Sequence, residues 1–448
     1  MPTTEFVLSF DVTFLAHAQT RDCGDYRHRT FWPAKALGEL TPTVAVQTIH
    51  PEVFTAIVQT RMLVVGMVVD SDVKVLVEYR KKMGLPTVYE ISDDFKAFPA
   101  NTELAPFYAR PEVQAHIESM ARNCDAVQFS SPFLASKYAY LNPNQVVFMN
   151  QAWDVPTLQP LPQNSKPRIG WTASGGHLDD AFDLAQLLAK AKIANPSLFD
   201  RFTLCLMTTP KNASAFTQAG LDFELTQTGS FDQYMNFVST LDGGLAHLSM
   251  DDFAQGRSDG KYIEYASRGV PSICHNSGTY QHTVRHLANG LLYENGAEFA
   301  QALAKLVNDP NLRKHLRTQA HRNIIGDRNH TVAAQDRFNF YKELVSKSAQ
   351  SELAGQRSPF AQQGFTSLED PIESPLRQIM EIHNQGAQPE TLKDYYRLTQ
   401  QAPSSWKLWE RFEELYRTLG LDEHLVGIQT RAIESKSAAL DRAFKLAA

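Results

Sequence analysis

The sequence has 448 residues, a formal net charge of −6 and 43% hydrophobic residues. A chain of this length exceeds what one hydrophobic core usually supports, so two or three domains are expected. The acidic balance argues against sequence-independent binding of nucleic acid, although it leaves a local basic cleft open. No apolar run reaches 18 residues and the N-terminus lacks a signal-peptide pattern, which predicts a cytoplasmic protein with no transmembrane segment. Peripheral contact with the inner face of a membrane stays open.

The first part of the chain, residues 1–160, alternates strand-like apolar runs with segments of helical length. The runs are EFVLSFDV, MLVVGMVVD, TVYEIS, DAVQFS and QVVFMN, and the helical segments are 29–40, 74–84 and 111–123. This alternation predicts a parallel sheet with helices on both faces, a Rossmann-like lobe. A proline-rich stretch at 156–167 predicts an interdomain linker.

A second alternation of strands and helices begins after the linker and predicts a second Rossmann-like lobe at 161–330. Its elements are PRIGW, a helix at 178–194, FTLCLM, a helix at 231–241 and GGLAHLS. The loop Ser174, Gly175, Gly176 and His177 follows the first of these strands and precedes a helix. Backbone N–H groups in such a place form a natural anion site. His177 is either a cap of that helix or a phosphate donor.

The segment from Phe253 to Gly278 carries the densest chemical signal of the chain. Ser258 is the expected N-cap of a helix that ends at Gly269, before the strand PSIC. Spacings of three, four and seven residues place four side chains on one helix face: Lys261, Glu264, Tyr265 and Arg268. A lysine and a carboxylate facing a glycine loop suit a ligand with phosphates and sugar hydroxyls. The alternative is an ordinary capped helix with a solvated ion pair.

The last part of the sequence predicts helices and a linker. A helix at 331–348 would cross back to the first lobe, and residues 349–372, rich in Ser, Gln and Gly, predict a flexible linker. Residues 373–448 predict amphipathic helices that resemble a short tetratricopeptide-like unit. They form either a cap on the core or a module for a protein partner or self-association. Four scattered cysteines, Cys23, Cys124, Cys205 and Cys274, predict reduced thiols and no metal site.

The string KYIEYASRGVPSICHNSGTYQHTVRHLANGLLYEN, which starts at Lys261, resembles the donor-binding segment of family-4-type (group 1) nucleotide-sugar glycosyltransferases of the GT-B fold. The resemblance implies an α/β fold of two doubly wound, Rossmann-like lobes, here with a C-terminal all-α appendage. It implies a nucleoside-diphosphate sugar as donor substrate in the interlobe cleft, with no separate cofactor. In the family, a glutamate at the position of Glu264 holds the ribose hydroxyls. The loop matching Ser277, Gly278, Thr279 and Tyr280 gives backbone N–H groups to the diphosphate.

The sequence departs from many members of the family at Gly256, where they carry a second glutamate. A subset of sugar transferases instead has a basic-Ser-Asp-x-Lys string, as in Arg257-Ser258-Asp259-Gly260-Lys261. The resemblance to this subset implies that Arg257 and Lys261 stabilise the leaving diphosphate. It also places the loop 174–177 near the donor phosphates.

Two loops of the first lobe are the candidates for facing the donor across the cleft. The first resembles the family's glycine loop and contains Gly24, Asp25, Tyr26 and Arg27; the alternative is a plain loop. The second places Asp93 and Asp94 just past the end of a strand, a functional position in α/β sheets. One of these aspartates is expected to bind acceptor hydroxyls, or to act as base if the enzyme inverts. Adjacent aspartates also commonly cap loops.

The resemblance therefore implies a metal-independent, retaining glycosyltransferase that acts on a carbohydrate or glycoconjugate acceptor in surface polysaccharide or glycoconjugate biosynthesis. Three alternatives stay open. The acceptor is a protein or a modified nucleic-acid base; the protein is a sugar-nucleotide epimerase; or an inactive GT-B scaffold binds a partner through its helical tail.

Overall fold

The computed structural model describes residues 10–17, 23–48, 50, 52–100, 102, 104–159, 164–174, 177–249, 251–348, 364–368, 391–401, 405–419, 421 and 425–447. In these parts the strands form two parallel sheets. The first contains β1 (Val12–Ala16), β2 (Thr43–Gln47), β3 (Met62–Gly66), β4 (Thr87–Ile91), β5 (Ala126–Phe129), β6 (Gln145–Val147) and β13 (Phe365–Leu368). The second contains β7 (Arg168–Thr172), β8 (Thr203–Met207), β9 (Glu224–Thr226), β10 (Gly243–Ala246), β11 (Ser272–His275) and β12 (Leu291–Tyr293).

Helices cover the faces of both sheets. A π-helix (Tyr26–Phe31) and a 3₁₀ helix (Ala139–Leu141) accompany the first-lobe helices α1 (Trp32–Leu37), α2 (Val53–Gln59), α3 (Ser71–Lys82), α4 (Ala105–Tyr108), α5 (Pro111–Asn123) and α6 (Pro132–Lys137). The second lobe has α7 (Leu178–Ala194), α8 (Pro196–Phe199), α9 (Pro210–Gln218), α10 (Phe231–Ser239), α11 (Asp252–Gly256), α12 (Gly260–Ser267), α13 (Tyr280–Thr283), α14 (Gly296–Asn308) and α15 (Pro310–Asp327). Then follow α16 (His330–Ser348), α17 (Thr391–Gln401), α18 (Trp406–Thr418) and α19 (Leu425–Ala447).

The order of the strands places a crevice in each lobe. The described strands run β13-β2-β1-β3-β4-β5-β6 in the first sheet and β12-β11-β10-β7-β8-β9 in the second. The strand order therefore reverses beside β1 in one sheet and beside β7 in the other. Loops leaving the carboxyl ends of strands diverge at such switch points and leave room for a ligand.

The second lobe follows the predicted elements closely. Helix α7 has the predicted bounds, β8, β10 and α10 lie within the predicted segments, and β7 extends one residue beyond PRIGW, to Thr172. In the first lobe two predictions were wrong. The first strand is Val12–Ala16 and not EFVLSFDV, of which residues 5–9 lie outside the described residues. The pair β2 and α2 was missed, because both are short and buried throughout and lack the alternation of a half-exposed element.

The predicted linker at 349–372 contains a strand. Phe365–Leu368 pairs in parallel with β2 and extends the first sheet, so this part of the linker prediction was wrong. The Phe365 ring packs 5.5 Å from that of Phe31, which anchors the strand at the sheet edge. Four half-buried residues at a sheet edge give almost no periodic signal. The rest of 349–372, apart from Gly364, lies outside the described residues.

Helices α16 and α18, which come before and after this segment in the chain, pack on the first lobe. In α16, Tyr341, Leu344 and Val345 join the first-lobe core, and the Tyr341 hydroxyl donates to Gln128 Oε1 at 2.7 Å. Of the predicted helical region 373–448, residues 373–390 lie outside the described residues. In α18, the fully buried Trp406 packs against Phe54 of α2, with 4.3 Å between the ring centroids. The described helical tail therefore covers one face of the first lobe.

Among the described helices, none combines the length and the apolar character that a membrane crossing requires. All four cysteines are unpaired. Cys124, Cys205 and Cys274 are buried in the core, whereas Cys23 is half-buried.

Candidate active site

A cleft of about 490 Å³ lies between the lobes at the carboxyl ends of both sheets. The first lobe lines it with residues that follow β1, β4, β5 and β6, and the second with residues that follow β7, β9 and β10 and with α12. Each of these positions is where a parallel α/β sheet presents side chains to a ligand. Among the described residues, no three His, Cys, Asp or Glu side chains converge as a metal-binding group.

Glu264, at the middle of the cleft, is held by both lobes. Its Oε1 lies 3.1 Å from Nε2 of His28, and its Oε2 accepts a hydrogen bond of 2.7 Å from the Tyr234 hydroxyl. The side chain is 16% exposed, so the carboxylate keeps a face toward the cleft. A carboxylate oxygen can accept more than one hydrogen bond, so sugar hydroxyls can bind here beside both partners.

A cluster of charged groups lies one helical turn before Glu264. Lys261 lines the cleft, and Arg257 precedes it in the turn between α11 and α12. Arg257 Nη1 lies 3.0 Å from His177 Nε2 and 3.7 Å from Asp180 Oδ2. His177 Nδ1 lies 2.7 Å from the same Asp180 oxygen. Two cations and an imidazole at one end of a cleft form a site for an anion such as a diphosphate.

The protonation of this cluster follows from its burial. Burial, and then the charges of Lys261 and Arg257, lower the pKa of His177 to about 3, so its ring is neutral at pH 7. Burial is also the main cause that lowers the pKa of Lys261 to about 8; Arg257 adds to it, and Asp180 and Glu264 oppose it. Burial by itself raises the pKa of Asp180, but the His177 hydrogen bond and both cations hold it below its ordinary value. Asp180 therefore balances part of the positive charge.

The first-lobe wall carries two carboxyl groups, Asp25 and Asp93. Burial, followed by the negative charges of Asp93 and Glu90, raises the pKa of Asp25 to about 7. Burial also raises the pKa of Asp93, although Arg257 and Arg29 oppose the shift. These two carboxyl groups therefore hold a proton more readily than exposed carboxyl groups do, and they lie on the lobe opposite Lys261 and Arg257.

The π-helix Tyr26–Phe31 carries three consecutive basic side chains toward the cleft. The Arg27 guanidinium lies over the ring of Phe231, His28 contacts Glu264, and Arg29 forms an ion pair with Glu90. The Arg29 Nη2 atom is buried and has no hydrogen-bond partner among the described residues. π-Helices are rare and occur frequently at functional sites. This segment is one of the places where the first lobe contacts the second.

The structure places some predicted site residues away from the cleft. Tyr26 and Tyr265 are fully buried and do not line it; the Tyr265 hydroxyl bonds Thr172 Oγ1 at 3.2 Å. Asp94 is also buried and accepts from Tyr138, Lys137 and a backbone N–H. The prediction of direct ligand contact was therefore wrong for Tyr26, Tyr265 and Asp94. Their polar groups are paired with protein atoms or enclosed in the core, so these residues belong to the packed interior.

The predicted N-cap Ser258 was also wrong. Helix α12 begins at Gly260 with Asp259 at its N-cap position, and Ser258 Oγ accepts from Asn150 Nδ2 at 2.9 Å, across the lobes. Asp259 is buried and pairs with Arg328 at 2.8 Å. The loop residues Gly175 and Gly176 lie outside the described residues, while Ser174 and His177 line the cleft. His177 stands at the N-cap position of α7, but its side chain makes no capping bond.

The glycine loop is bound to the segment before α12. Gly278 has φ +54°, a conformation that glycine adopts without strain, and its N–H donates to Gln255 Oε1 at 3.2 Å. Thr279 Oγ1 donates to the Arg257 carbonyl at 2.5 Å, and Ser277 Oγ contacts His275. In this loop Tyr280 lines the cleft, whereas Ser277, Gly278 and Thr279 do not, so their predicted contact with the diphosphate is not seen in this arrangement. Thr279 supports Arg257, one of the cleft cations.

Gly256 lies against the first lobe. A Cβ atom at this position would be 3.0 Å from Leu134 Cδ2 and 3.4 Å from Asp94 Cβ. The Gly256 carbonyl also accepts from Ser131 Oγ at 3.1 Å. The close approach of the lobes therefore leaves no room for a glutamate side chain in this arrangement.

Sequence reasoning missed His28, Arg29 and Tyr234 as cleft residues, and Asp180 as the buried partner of His177. Asp180 was visible as an acidic residue in the first turn of α7, and His28 and Arg29 as a basic cluster after the first strand. No local signal distinguished Tyr234, because its role depends on the approach of α10 to α12.

Residues 261–323 match the sequence profile of the family described as Glycosyl transferases group 1. No curated protein matches the chain significantly. Among solved structures, HepE of Anabaena in complex with UDP and glucose superposes with a TM-score of 0.56 at 11% identity, over 75% of this chain and 100% of HepE. Sucrose-phosphate synthase of Thermosynechococcus elongatus gives 0.55 at 13% identity, over 75% and 100%.

TarM of S. aureus is also similar, with 11% identity, a TM-score of 0.48 and coverage of 62% of this chain. The chain spans about half the length of TarM, of which 54% is covered. The matches to HepE and sucrose-phosphate synthase show that the two lobes have the same fold as these proteins.

Proposed function

We propose that this chain, a glycosyltransferase of the GT-B fold with a group 1 donor-lobe segment, transfers a sugar from a nucleoside-diphosphate sugar to an acceptor hydroxyl. The observation that carries the proposal is the arrangement of Glu264, Lys261 and Arg257 in the interlobe cleft. It offers a carboxylate for the ribose and two cations for the diphosphate. Lys261 and Glu264 lie within the segment that matches the family profile, and Arg257 lies just before it.

In the proposed reaction, the bond between the anomeric carbon and the diphosphate oxygen breaks, and the acceptor oxygen bonds to that carbon. Arg257 and Lys261 stabilise the negative charge that develops on the leaving diphosphate. Removing one such charge typically costs about 3 kcal/mol of transition-state stabilisation, roughly 100-fold in rate. Because these two side chains supply positive charge, the proposed mechanism uses no metal ion or other cofactor.

The proposed stereochemical course is retention, with the acceptor proton passing to an oxygen of the leaving diphosphate. Asp93 is proposed to bind the acceptor, because it lines the first-lobe wall of the cleft. It also lies close enough to Arg257 for that charge to oppose the rise of its pKa. The acceptor is proposed to be a carbohydrate or glycoconjugate in surface polysaccharide or glycoconjugate biosynthesis, in the cytoplasm. HepE was solved with UDP and glucose, so UDP-glucose is the first donor to test.

The test is a thermal-shift screen of UDP-, GDP-, dTDP- and CMP-linked sugars on wild type and Glu264→Ala, with and without chelator. A ligand at 100 times its Kd stabilises a protein by about 2.7 kcal/mol. We expect a chelator-insensitive shift that Glu264→Ala loses, while the exposed-site control Glu343→Ala keeps it. A chelator-sensitive shift would contradict metal independence. The absence of any shift in folded wild type would contradict the proposed function.

A further inference from the structure

Two side chains from different lobes stack on each other in the cleft. The Arg27 guanidinium carbon lies 3.8 Å from the ring centroid of Phe231, and the Trp32 ring meets Phe231 edge-on at 5.1 Å. Arg27 and Phe231 both line the cleft. The aromatic ring therefore supports one face of a planar cation, which orients its N–H donors.

This pair reaches Glu264 from other elements than the cations do: Phe231 belongs to α10 and Arg27 to the π-helix, whereas Arg257 and Lys261 lie in the segment that leads to Glu264 on α12. Tyr234 connects the two places, since its hydroxyl bonds Glu264 and its ring lies 5.8 Å from that of Phe231. The base and the diphosphate leave a ribose at opposite ends. A ribose held by Glu264, with its diphosphate at Arg257 and Lys261, therefore points its base away from these cations, and Phe231 is the cleft aromatic ring that Tyr234 links to Glu264.

The first lobe reaches this place through its π-helix. His28, the next residue after Arg27, contacts Glu264 at 3.1 Å. Arg27 is thus close to any base attached to a ribose at Glu264. The Arg27 side chain can donate hydrogen bonds but cannot accept them, because a guanidinium has five N–H donors and no acceptor. It matches an exocyclic carbonyl of a base and opposes an exocyclic amino group.

We propose that Arg27, stacked on Phe231, is a first-lobe determinant of nucleobase specificity that selects bases with an exocyclic carbonyl at the recognised edge. These are uracil, thymine and guanine, as opposed to adenine and the amino edge of cytosine. The inference rests on the proposed function, because it requires that the cleft binds a nucleoside diphosphate. It makes recognition of the base dependent on the approach of the two lobes.

The test measures the Kd of UDP, GDP, CDP, ADP and inorganic pyrophosphate by calorimetry on the full chain. The variants are Arg27→Ala and Arg27→Lys, which keeps the charge but lacks the planar group. The control is Arg122→Ala, an exposed arginine on α5 of the same lobe. We expect wild type and control to bind UDP or GDP at least tenfold more tightly than ADP. We expect both Arg27 variants to lose most of this ratio while the Kd of pyrophosphate in Arg27→Lys changes less than threefold.

Each other result has a definite meaning. If Arg27→Lys keeps the base preference of wild type, or if wild type has none, Arg27 does not select the base and the inference is overturned. If Arg27→Ala weakens all four nucleotides and pyrophosphate equally, Arg27 supplies only charge, which also overturns it. If folded wild type binds neither nucleotides nor pyrophosphate, the proposed function fails, and this inference fails with it.

Discussion

His28 of the first lobe and Glu264 of the second are in direct contact, with 3.1 Å between His28 Nε2 and Glu264 Oε1. The two residues are 236 positions apart in the chain. Only 7% of the His28 side chain is exposed, and its ring packs edge-on against Trp32 at 4.8 Å. The carboxylate proposed to bind the ribose is therefore oriented partly by the opposite lobe, which links donor binding to the closeness of the lobes.

We expect His28→Ala to raise the donor KM about tenfold, because a hydrogen bond to a charged group contributes about 1.5 kcal/mol. The Glu264 carboxylate would lose its first-lobe partner, while Tyr234 would still hold its other oxygen. His28→Gln, which keeps an N–H donor, should bring the KM most of the way back to the wild-type value. Steady-state kinetics with the donor identified by the thermal screen measure it. An unchanged KM in His28→Ala would show that the contact does not orient Glu264.

Lys261 should make donor binding depend on pH. Burial lowers the pKa of this ammonium to about 8, so the unbound side chain loses its charge above that pH. We expect the Kd of the nucleotide to increase above pH 8, approaching tenfold per pH unit as binding then requires uptake of a proton. Calorimetry between pH 6.5 and 9.5 measures this. Lys261→Arg should remove the slope, because an arginine stays charged; a slope that persists in this variant would assign it to another group.

The same lowered pKa affects stability with a definite sign. The charged form of Lys261 is disfavoured in the folded protein, so below pH 8 this residue reduces the free energy of unfolding. The reduction disappears as the pH rises from about 8 toward the unfolded value near 10.4. We expect Lys261→Met to raise the Tm at pH 7 and to raise it less at pH 9.5. An equal gain at both pH values would indicate a packing effect.

Asp25 should be a stability cost at neutral and alkaline pH. Its folded pKa of about 7 exceeds the ordinary value, so the folded state holds a proton that the unfolded state has released between about pH 4 and pH 7. Asp25 therefore does not lower the free energy of unfolding below about pH 4, and it lowers this free energy progressively as the pH rises to about 7. Asp25→Asn should raise the Tm more at pH 8 than at pH 5. The fully exposed Asp222→Asn is the control, and a pH-independent gain would contradict the assignment.

Gly256 should be intolerant of a side chain because the lobes meet there. We expect Gly256→Ala to reduce the free energy of unfolding by about 1–3 kcal/mol, the usual cost of overpacking. Leu134→Ala would vacate the space of the atom 3.0 Å from the new Cβ, so the double variant should lose less than the sum of the single variants. Urea unfolding of the four proteins measures the coupling. Additive losses would show that the two positions do not touch.

Much of the second lobe could be predicted from sequence. The bounds of α7 follow from its apolar periodicity, and the break at Gly269 and Pro271 separates α12 from β11. The first lobe was harder to predict, because β2 and α2 are buried on all sides and therefore lack a period. Strand Phe365–Leu368 could not be predicted because it lies in a polar stretch with no strand pattern. It is a strand because it pairs with β2.

The sequence by itself determined the relationships that lie within one element. Lys261 and Glu264 are neighbours on α12 because they are three residues apart, and this holds in any helix containing them. The tertiary structure alone decided which side chains face these two residues. It buried Tyr265, which shares their helix, in the core, brought His28 and Arg27 to the cleft, and placed Asp180 beside the cleft residues His177 and Arg257. The reason is physical: helix periodicity is a local property of the backbone, whereas a contact between lobes depends on how two separately formed cores pack.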